Sequence, residues 1–420
     1  MEQPDQPGLI RRTFGNRGSV QEELYPQAKP EVKERYWLHA LLFLITLIST
    51  IIAGGQMAGR VDFYAASDNW INVFGARISV EFVLDGLRYG VSLLLFLGVH
   101  EFGHYFAARK HNVSTSLPYF IPFPWNGIGT FGAVIRIREQ IPSMRKLFDI
   151  GTAGPMAGFV VALGVLIFGL ATLPSLDYVA DLYEHQGLKD FVREFGAFPE
   201  SLDEVSAGAG EYLLVVGQTP LYWMLTQFFS DVPPMWEMYH YPVLFAGWLG
   251  LFFTAVNLLP VGQLDGGHML YALVGPKWHR RLARGFVLML LISGGIGFID
   301  DIGPMMSEWT SVSGFIPWLI LSFVLLFYLH RIFKDEPRLI VGWLLGLVAS
   351  IAVLRWSPWV VGEIGYTGWL IWCLLIVLLI RVDHPPVLQM EPLTTKRKIL
   401  AIFGLVIFAL CFSIKPLYII

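Results

Sequence analysis

Residues 87–109 read LRYGVSLLLFLGVHEFGHYFAAR, an apolar stretch long enough to cross a bilayer that ends in a cluster of ionisable side chains. Titratable groups inside a membrane helix are costly and usually functional. His100 and His104 are one helical turn apart on the same face, so both imidazoles can bind one zinc ion. Glu101, next to the first histidine, can act as a base on water bound to that metal. The HExxH spacing therefore predicts a zinc site, in preference to two interfacial histidines that bind lipid headgroups.

The chain as a whole has the composition of a polytopic membrane protein. Of its 420 residues 55% are hydrophobic and 15% are charged, and the mean hydropathy is +0.55, whereas soluble proteins carry roughly a quarter charged residues. The formal net charge of -3 gives no reason to expect a nucleic acid partner. Cys373 and Cys411 both lie in apolar runs, which excludes a disulfide framework and a thiolate zinc site.

Nine apolar segments approach the roughly 20 residues that span a bilayer. We therefore predict an all-α polytopic membrane protein with about nine transmembrane helices, at 37–55, 87–107, 147–174, 241–259, 284–300, 312–331, 339–354, 366–381 and 398–413. With the N-terminus inside, most of the 30 Lys and Arg residues fall on the inner side, as the positive-inside rule requires. We expect a bacterial inner membrane, with the N-terminus and the zinc site toward the cytoplasm.

The segments between and beyond these helices suggest a domain organisation. Residues 1–36 are polar, without a signal peptide, and predict a cytoplasmic tail. Residues 37–270 would form the intramembrane core that carries the predicted zinc site, in which 175–240 is an extracytoplasmic helical cap, and 271–420 an additional transmembrane bundle. Within the connection 109–146, prolines exclude helix and the run from Thr130 to Arg138 alternates like a strand. This pattern predicts a small membrane-proximal β-hairpin.

Zinc needs a third protein ligand, and two carboxylates are candidates. Glu139 is the nearest Glu downstream of the histidines, but it lies in an Arg-rich hairpin that is expected to face solvent. Asp265 follows the predicted fourth span, which returns the chain to the membrane depth of His104. Gly266 and Gly267 would permit the close bend that aims this carboxylate at the metal. We favour Asp265. His268 is predicted to be an ordinary loop histidine and His384 a turn residue.

These motifs together resemble the site-2 protease family, the intramembrane zinc metalloproteases of peptidase family M50. The matching stretches are HEFGH (100–104), GTFGAVI (129–135), GPMAG (154–158) and NLLPVGQLDGG (257–267). DHPPV (383–387) is similar to a subgroup of bacterial and plastid members. The resemblance implies His100, His104 and Asp265 as ligands of one Zn²⁺ per chain, and Glu101 as catalytic base. It also implies substrate binding by Asn257 and by the strand Thr130, Phe131, Gly132, Ala133, Val134 and Ile135.

The function expected from this resemblance is hydrolysis of peptide bonds within transmembrane segments of proteins in the lipid bilayer. Two other classes share parts of the pattern. One is a membrane metalloprotease that cuts non-transmembrane segments, and the other is a polytopic transporter with a buried His/Asp ion site. A transporter needs no Glu beside the first histidine, so the presence of Glu101 favours the protease. The sequence does not predict the substrate's identity or the oligomeric state.

Overall fold

The computed structural model describes residues 9–10, 25–26, 34–60, 70–73, 76–124, 127–180, 186–199, 214–310 and 314–419. Most of the predicted polar tail lies outside the described residues. In its described part, Leu9–Ile10 (β1) pairs antiparallel with Tyr25–Pro26 (β2). Residues 39–420 form one compact unit.

The described part of the chain is mainly helical, as predicted. The helices are α1 (Tyr36–Met57), α2 (Val80–Lys110), α3 (Met144–Ala171), α4 (Asp177–Ala180), α5 (Gln186–Phe195), α6 (Pro220–Thr226), α7 (Pro242–Asn257), α8 (Asp265–Gly297), α9 (Gly303–Thr310), α10 (Phe315–Ile332), α11 (Ile340–Leu354), α12 (Pro358–Ile364), α13 (Gly368–Leu375) and α14 (Thr395–Cys411). Short 3-10 turns cover Met238–His240 and Pro337–Leu339, and π-helical turns cover Phe298–Ile302 and Ile376–Ile380.

The prediction of nine transmembrane helices is not confirmed. Among the described residues, six helices are long and apolar enough to cross a membrane, or seven if the bent pair α12 and Gly368–Ile380 is one span. Helix α7 has 16 residues, so it is roughly 24 Å long and shorter than the roughly 30 Å hydrocarbon core. Helix α14 has 17. The predicted span 284–300 is the second half of a longer one, Asp265–Met306.

Helices α2, α3 and α7 pack around the first of two large hydrophobic cores. Its largest fully buried side chains include Tyr89 and Phe96 on α2, Phe148 on α3 and Trp248 on α7. Glycines bring α3 and α7 close together, because a Cβ on Gly247 would lie 2.7 Å from the backbone of Leu166. The ionisable end of α2 also packs against the N-terminal half of α3.

The second hydrophobic core lies between the later part of α8 and helices α10, α11 and α13, and buries Leu321, Ile351 and Trp369. Helix α14 contributes only its half-buried Phe408 to the edge of this core. Its buried residues Ala401 and Ile407 belong to the first core instead. The predicted domain boundary at residue 270 falls inside α8, five residues before a break at Gly275, where φ is +80°. The division into core and additional bundle stays a prediction.

The predicted β-hairpin is present and ends earlier than expected. Tyr119–Phe123 (β5) pairs antiparallel with Gly129–Val134 (β6). Gly132 has a φ of +100°, a conformation that L side chains rarely adopt, so substitution there is expected to strain the backbone. Two further antiparallel strand pairs are described: Trp70–Val73 (β3) with Ala76–Ser79 (β4), and Leu214–Val216 (β7) with Leu417–Ile419 (β8). In the predicted cap 175–240, residues 181–185 and 200–213 lie outside the described part.

Candidate metal centre

The two histidines of the HExxH motif face the same side of α2 and are buried. Their Nε2 atoms lie 3.2 Å apart. This close approach follows from the four-residue spacing, which stacks the two side chains on consecutive helical turns. Two imidazole nitrogens therefore point at one location inside the protein.

Asp265 brings a carboxylate to the same location. It is the first residue of α8, and its Oδ2 lies 3.2 Å from Nε2 of His104 and 3.4 Å from Nε2 of His100. The loop between α7 and α8 can place it there because Gly266 has no side chain, since a Cβ at that position would overlap the backbone of Leu258. Among the described residues, these three form the one group of His, Cys, Asp or Glu that could hold a metal ion.

The size of this triangle can be compared with what a metal requires. Tetrahedral zinc with bond lengths of about 2.0–2.1 Å places neighbouring ligand atoms about 3.3 Å apart. The three observed separations of 3.2, 3.2 and 3.4 Å match that distance. Two imidazoles and one carboxylate leave a fourth corner for water or substrate, which is the arrangement of catalytic rather than structural zinc sites.

A contact from α3 orients His104. Its Nδ1 lies 2.7 Å from the carbonyl oxygen of Ile150, which can only accept a hydrogen bond. Nδ1 therefore carries the proton and Nε2 presents its lone pair to the triangle. Gly154, one turn further along α3, lies against the imidazole so closely that a Cβ there would overlap the ring. The Nδ1 atom of His100, by contrast, is buried without a hydrogen-bond partner in the described part of the chain.

Glu101 lies beside this triangle and is 7% exposed. Its carboxylate accepts a hydrogen bond from the backbone N–H of Ile135, the residue after β6. The other candidate carboxylate is elsewhere: Glu139 is half-exposed and accepts a hydrogen bond from the backbone N–H of Ser114 at 2.6 Å. The structure thus brings Asp265, and not Glu139, to the histidines.

The residues expected to hold substrate lie next to the same place. Asn257 ends α7, and its Nδ2 is 3.4 Å from Nε2 of His100. Strand β6 runs from Gly129 to Val134 alongside α2, with the side chains of Phe131 and Val134 exposed and Ala133 buried. Thr130 donates a hydrogen bond to the carbonyl of Ile121 on β5. Their role in binding substrate stays a prediction.

Sequence reasoning missed a second group of histidines behind the metal centre. His268 lies one turn after Asp265 on α8, and its Nδ1 is 2.7 Å from Nε2 of His384. The His384 ring stacks on Tyr271 with 4.2 Å between ring centroids, and the His279 ring lies 5.9 Å away. The i, i+3 spacing from Asp265 could have placed His268 near the centre. His384 is 116 residues away in sequence, so no local pattern could have placed it.

The proton arrangement in this group follows from its hydrogen bonds. Nδ1 of His384 is 2.5 Å from the carbonyl oxygen of Pro385 and therefore donates to it. Burial lowers the pKa of His384, although the bond to Pro385 opposes this shift, and this direction favours a neutral ring whose Nε2 carries no proton. Nε2 must then accept from the Nδ1–H of His268. We call His268, His279 and His384 the back cluster.

His384 belongs to a segment, residues 381–397, that we call the strap because it joins α3 to α8. At the α8 side, Val382 accepts a hydrogen bond from the N–H of Gly262, and Asp383 pairs with Arg284 at 3.0 Å. At the α3 side, Gln389 exchanges backbone hydrogen bonds with Pro142 and Met144. Further along, Arg397 pairs with Asp149 on α3 at 2.7 Å. The strap therefore ties together the helices that carry Asp265 and the Ile150 carbonyl.

Comparison with known proteins agrees with the resemblance seen in the sequence. Residues 89–298 match peptidase family M50. The chain is 28% identical over 309 residues to the probable zinc metalloprotease EGY1, chloroplastic, of Oryza sativa subsp. japonica, covering 72% of this chain and 46% of the relative. It is 29% identical over 279 residues to EGY1 of Arabidopsis thaliana, covering 65% and 45%, and 28% identical over 257 residues to EGY2 of that species, covering 61% and 39%.

The chain spans less than half the length of these curated relatives. No solved structure matches it. The matched range 89–298 covers half of the chain and includes HExxH, the hairpin and Asp265. The predicted resemblance is thereby confirmed, and the chain belongs to peptidase family M50.

Proposed function

We propose that this chain is a zinc metalloprotease that hydrolyses peptide bonds within transmembrane segments. One observation carries the proposal: two imidazole nitrogens and a carboxylate oxygen converge at zinc-ligand separations beside a buried Glu. The histidines and this Glu lie on a helix that is long enough to cross a membrane. His100, His104 and Asp265 would hold one zinc ion per chain. The bound ion supplies Lewis acidity, which lowers the pKa of water and polarises a peptide carbonyl.

The side chains around the ligands define the remaining roles. Glu101 takes the proton of the attacking water and then gives it to the leaving amine. The hydrogen bond from Ile135 fixes the carboxylate of Glu101 relative to β6. Ile150 keeps His104 in the tautomer whose Nε2 can bind the ion. Glu101 and both histidines are buried and Asp265 is half-buried, which limits the access of bulk water to the reacting groups.

The substrate must present main chain to this site. Backbone groups of a transmembrane helix are internally hydrogen-bonded, so a substrate helix has to unwind locally before attack. Strand β6 pairs with β5 in a two-stranded sheet and leaves its other edge for an extended segment. Strand addition there would read main chain more than side chains. Residues Thr130 to Ile135 would then align the unwound segment, and the Asn257 amide would lie near the scissile carbonyl.

Localisation follows from the helices and from charge. We infer an integral membrane protein. The end of α2 that carries HExxH, the N-terminus and the basic connections all lie on the same side of the membrane. The relatives are named as chloroplastic proteins, so the expected bacterial inner membrane has no support from the comparisons. Cysteine labelling at position 190 with an impermeant reagent tests the orientation. Labelling from the side that carries Arg109 would contradict it.

The test of the proposal uses the full chain reconstituted in liposomes with a transmembrane substrate. Glu101→Gln should keep its zinc and still lose cleavage by at least 10²–10⁴-fold, because proton transfer alone has about that effect. Glu139→Gln is the matched control and should cleave at the wild-type rate. Wild-type-rate cleavage by Glu101→Gln would contradict the assignment, and products cut outside the transmembrane segment would favour a protease of soluble segments.

Substrate capture by β6 needs a separate variant. Ala133→Pro removes one N–H from the strand and should lower cleavage while leaving the zinc content normal. Ile135→Pro is less informative, because it also removes the hydrogen bond to Glu101. If Ala133→Pro cleaves at the wild-type rate with zinc present, helices alone hold the substrate.

A further inference from the structure

A cavity of about 720 Å³ opens between α8 and the junction of α10 with α11. On α8 its wall begins at Pro276, directly after the break at Gly275. The opposite wall is formed around Phe333, Leu339 and Trp343. None of its lining residues belongs to the metal centre. We call it the basic cavity.

Positive charge is concentrated on the α8 wall. Lys277, Arg280, Arg281 and Arg284 recur at the spacing that places side chains on one face of a helix. Arg284 is neutralised, with Glu336 at 2.8 Å and Asp383 at 3.0 Å. The same Asp383 is the carboxylate nearest to Arg280, at 3.6 Å. Lys277 and Arg281 form no ion pair within the described ranges. The cavity therefore has more cations than carboxylates.

The other surface of the basic cavity is apolar. Leu288, Leu339 and Trp343 line it, and the Arg284 guanidinium lies 5.1 Å from the centre of the Phe333 ring. The two segments that meet here are long and apolar enough to cross a membrane. The first ends at Ile332, and the second begins at Pro337. The cationic wall thus meets the apolar wall at the end of the membrane-spanning segments.

Trp278 supports this position at the membrane boundary. It is 57% exposed, next to Lys277, and Arg281 lies 5.2 Å from the centre of its ring. Exposed Trp with neighbouring basic residues is typical of the level of lipid headgroups. A ligand that reaches both walls must itself be anionic at one end and apolar at the other.

We infer that the basic cavity binds one anionic phospholipid. Arg280, Arg281 and Lys277 hold its phosphate, and its acyl chain lies along Leu288, Leu339 and Trp343. Basic pockets between transmembrane helices bind lipid head groups through this combination of charge and depth. Inorganic phosphate shares the charge but has no apolar part, and a zwitterionic lipid carries a cation of its own that opposes the arginines.

The test measures lipid binding to the purified full chain by native mass spectrometry. Phosphatidylglycerol, phosphatidylcholine and inorganic phosphate are titrated separately. We expect one phosphatidylglycerol to be retained in preference to phosphatidylcholine. The double variant Arg280→Gln/Arg281→Gln should lose about 30-fold in affinity, because each basic side chain near an anionic head group contributes about fivefold. Both side chains are exposed, so the variant should fold, and unchanged zinc content would verify this.

A double variant of equal charge serves as control. Lys396→Gln/Lys398→Gln removes two exposed cations from α14 and should bind phosphatidylglycerol like the wild type. Trp343→Ala should weaken phosphatidylglycerol binding without changing the weak binding of phosphate. Equal retention of both lipids, an unaltered affinity in Arg280→Gln/Arg281→Gln, or an equal loss in the control would overturn the inference. Displacement of the lipid by millimolar phosphate would identify a free-anion site instead and would also overturn it.

Discussion

The metal centre and the back cluster are neighbouring groups of histidines with opposite use of their lone pairs. In the metal centre, the Nε2 atoms of His100 and His104 approach one carboxylate oxygen of Asp265. In the back cluster, the lone pair of His384 accepts a hydrogen bond from His268. No carboxylate completes a ligand group there, since the one such group in the described part of the chain is the metal centre. Convergent bare nitrogens and a carboxylate, and not the number of histidines, therefore distinguish a metal site.

Helix α8 supplies members of both groups, and α3 packs against both. On α8, Asp265 belongs to the metal centre, while His268, one turn later, belongs to the back cluster. On α3, Gly154 lies against the ring of His104 and Gly151 lies against His268. On each of these two helices, one position contacts or belongs to the metal centre and a position one turn away contacts or belongs to the back cluster. The two groups can therefore be altered separately by substitution.

The largest effect should come from removing the ligands themselves. His104→Ala or Asp265→Ala leaves two ligands, which rarely hold zinc, so the one ion per chain should be lost on dialysis together with all cleavage. His279→Ala in the back cluster should keep stoichiometric zinc. Elemental analysis of the dialysed proteins provides the measurement. Full zinc content after replacement of His100, His104 and Asp265 together would show that the ligand assignment is wrong.

Gly154→Ala should have the next largest effect. Its Cβ would overlap the His104 ring, which the hydrogen bond to Ile150 prevents from turning freely, so zinc affinity should fall by at least the 10–100-fold typical of disturbed ligand support. Competition with a chelator measures this affinity. Gly164→Ala, also on α3, is the control because nothing lies within 4 Å of its Cβ. Equal affinities of the two variants would contradict the role of Gly154.

A smaller effect is expected when the back cluster loses its distal member. His384→Ala removes the acceptor of the His268 hydrogen bond and the ring stacked on Tyr271, and it leaves all three ligands in place. Zinc affinity should fall at most about tenfold, the lower limit for groups that support metal ligands. His330→Ala, on exposed α10 surface, should change nothing. Loss of zinc as complete as in His104→Ala would mean that the back cluster holds the ion.

The smallest effect on zinc should come from Gly151→Ala. Its Cβ would lie 2.9 Å from the Cβ of His268, so α3 and α8 must shift slightly apart. Such overpacking lowers the free energy of unfolding by about 1–3 kcal/mol. Thermal unfolding of the purified protein should show the loss of stability, while chelator competition shows unaltered zinc affinity. A zinc defect as large as that of Gly154→Ala would remove the distinction between the two groups.

Local spacing predicted that His100, His104 and Asp265 would lie together, whereas contacts between residues distant in sequence could not be predicted. The four-residue spacing of His100 and His104 determines their geometry, and the return of the chain after α7 favoured Asp265 over Glu139. Asp265 was predicted to lie in a bend after the fourth span, with the next span at 284–300, whereas it begins α8. Gly275, Pro276 and the basic residues after them interrupt the apolar pattern of that helix. The pairs His268 with His384 and Arg284 with Asp383 join residues about 100 positions apart, and no periodicity reports them.

The strap has a consequence for the order in which the fold can form during synthesis. Ribosomes synthesise His100, Glu101, His104 and Asp265 long before residues 381–397, whose contacts tie α3 to α8. A nascent chain of 380 residues therefore contains every proposed chemical group but lacks the segment that joins the two helices. Because these contacts form after the proposed ligand side chains have been synthesised, the strap would fix the relative position of α3 and α8 around side chains that are already present.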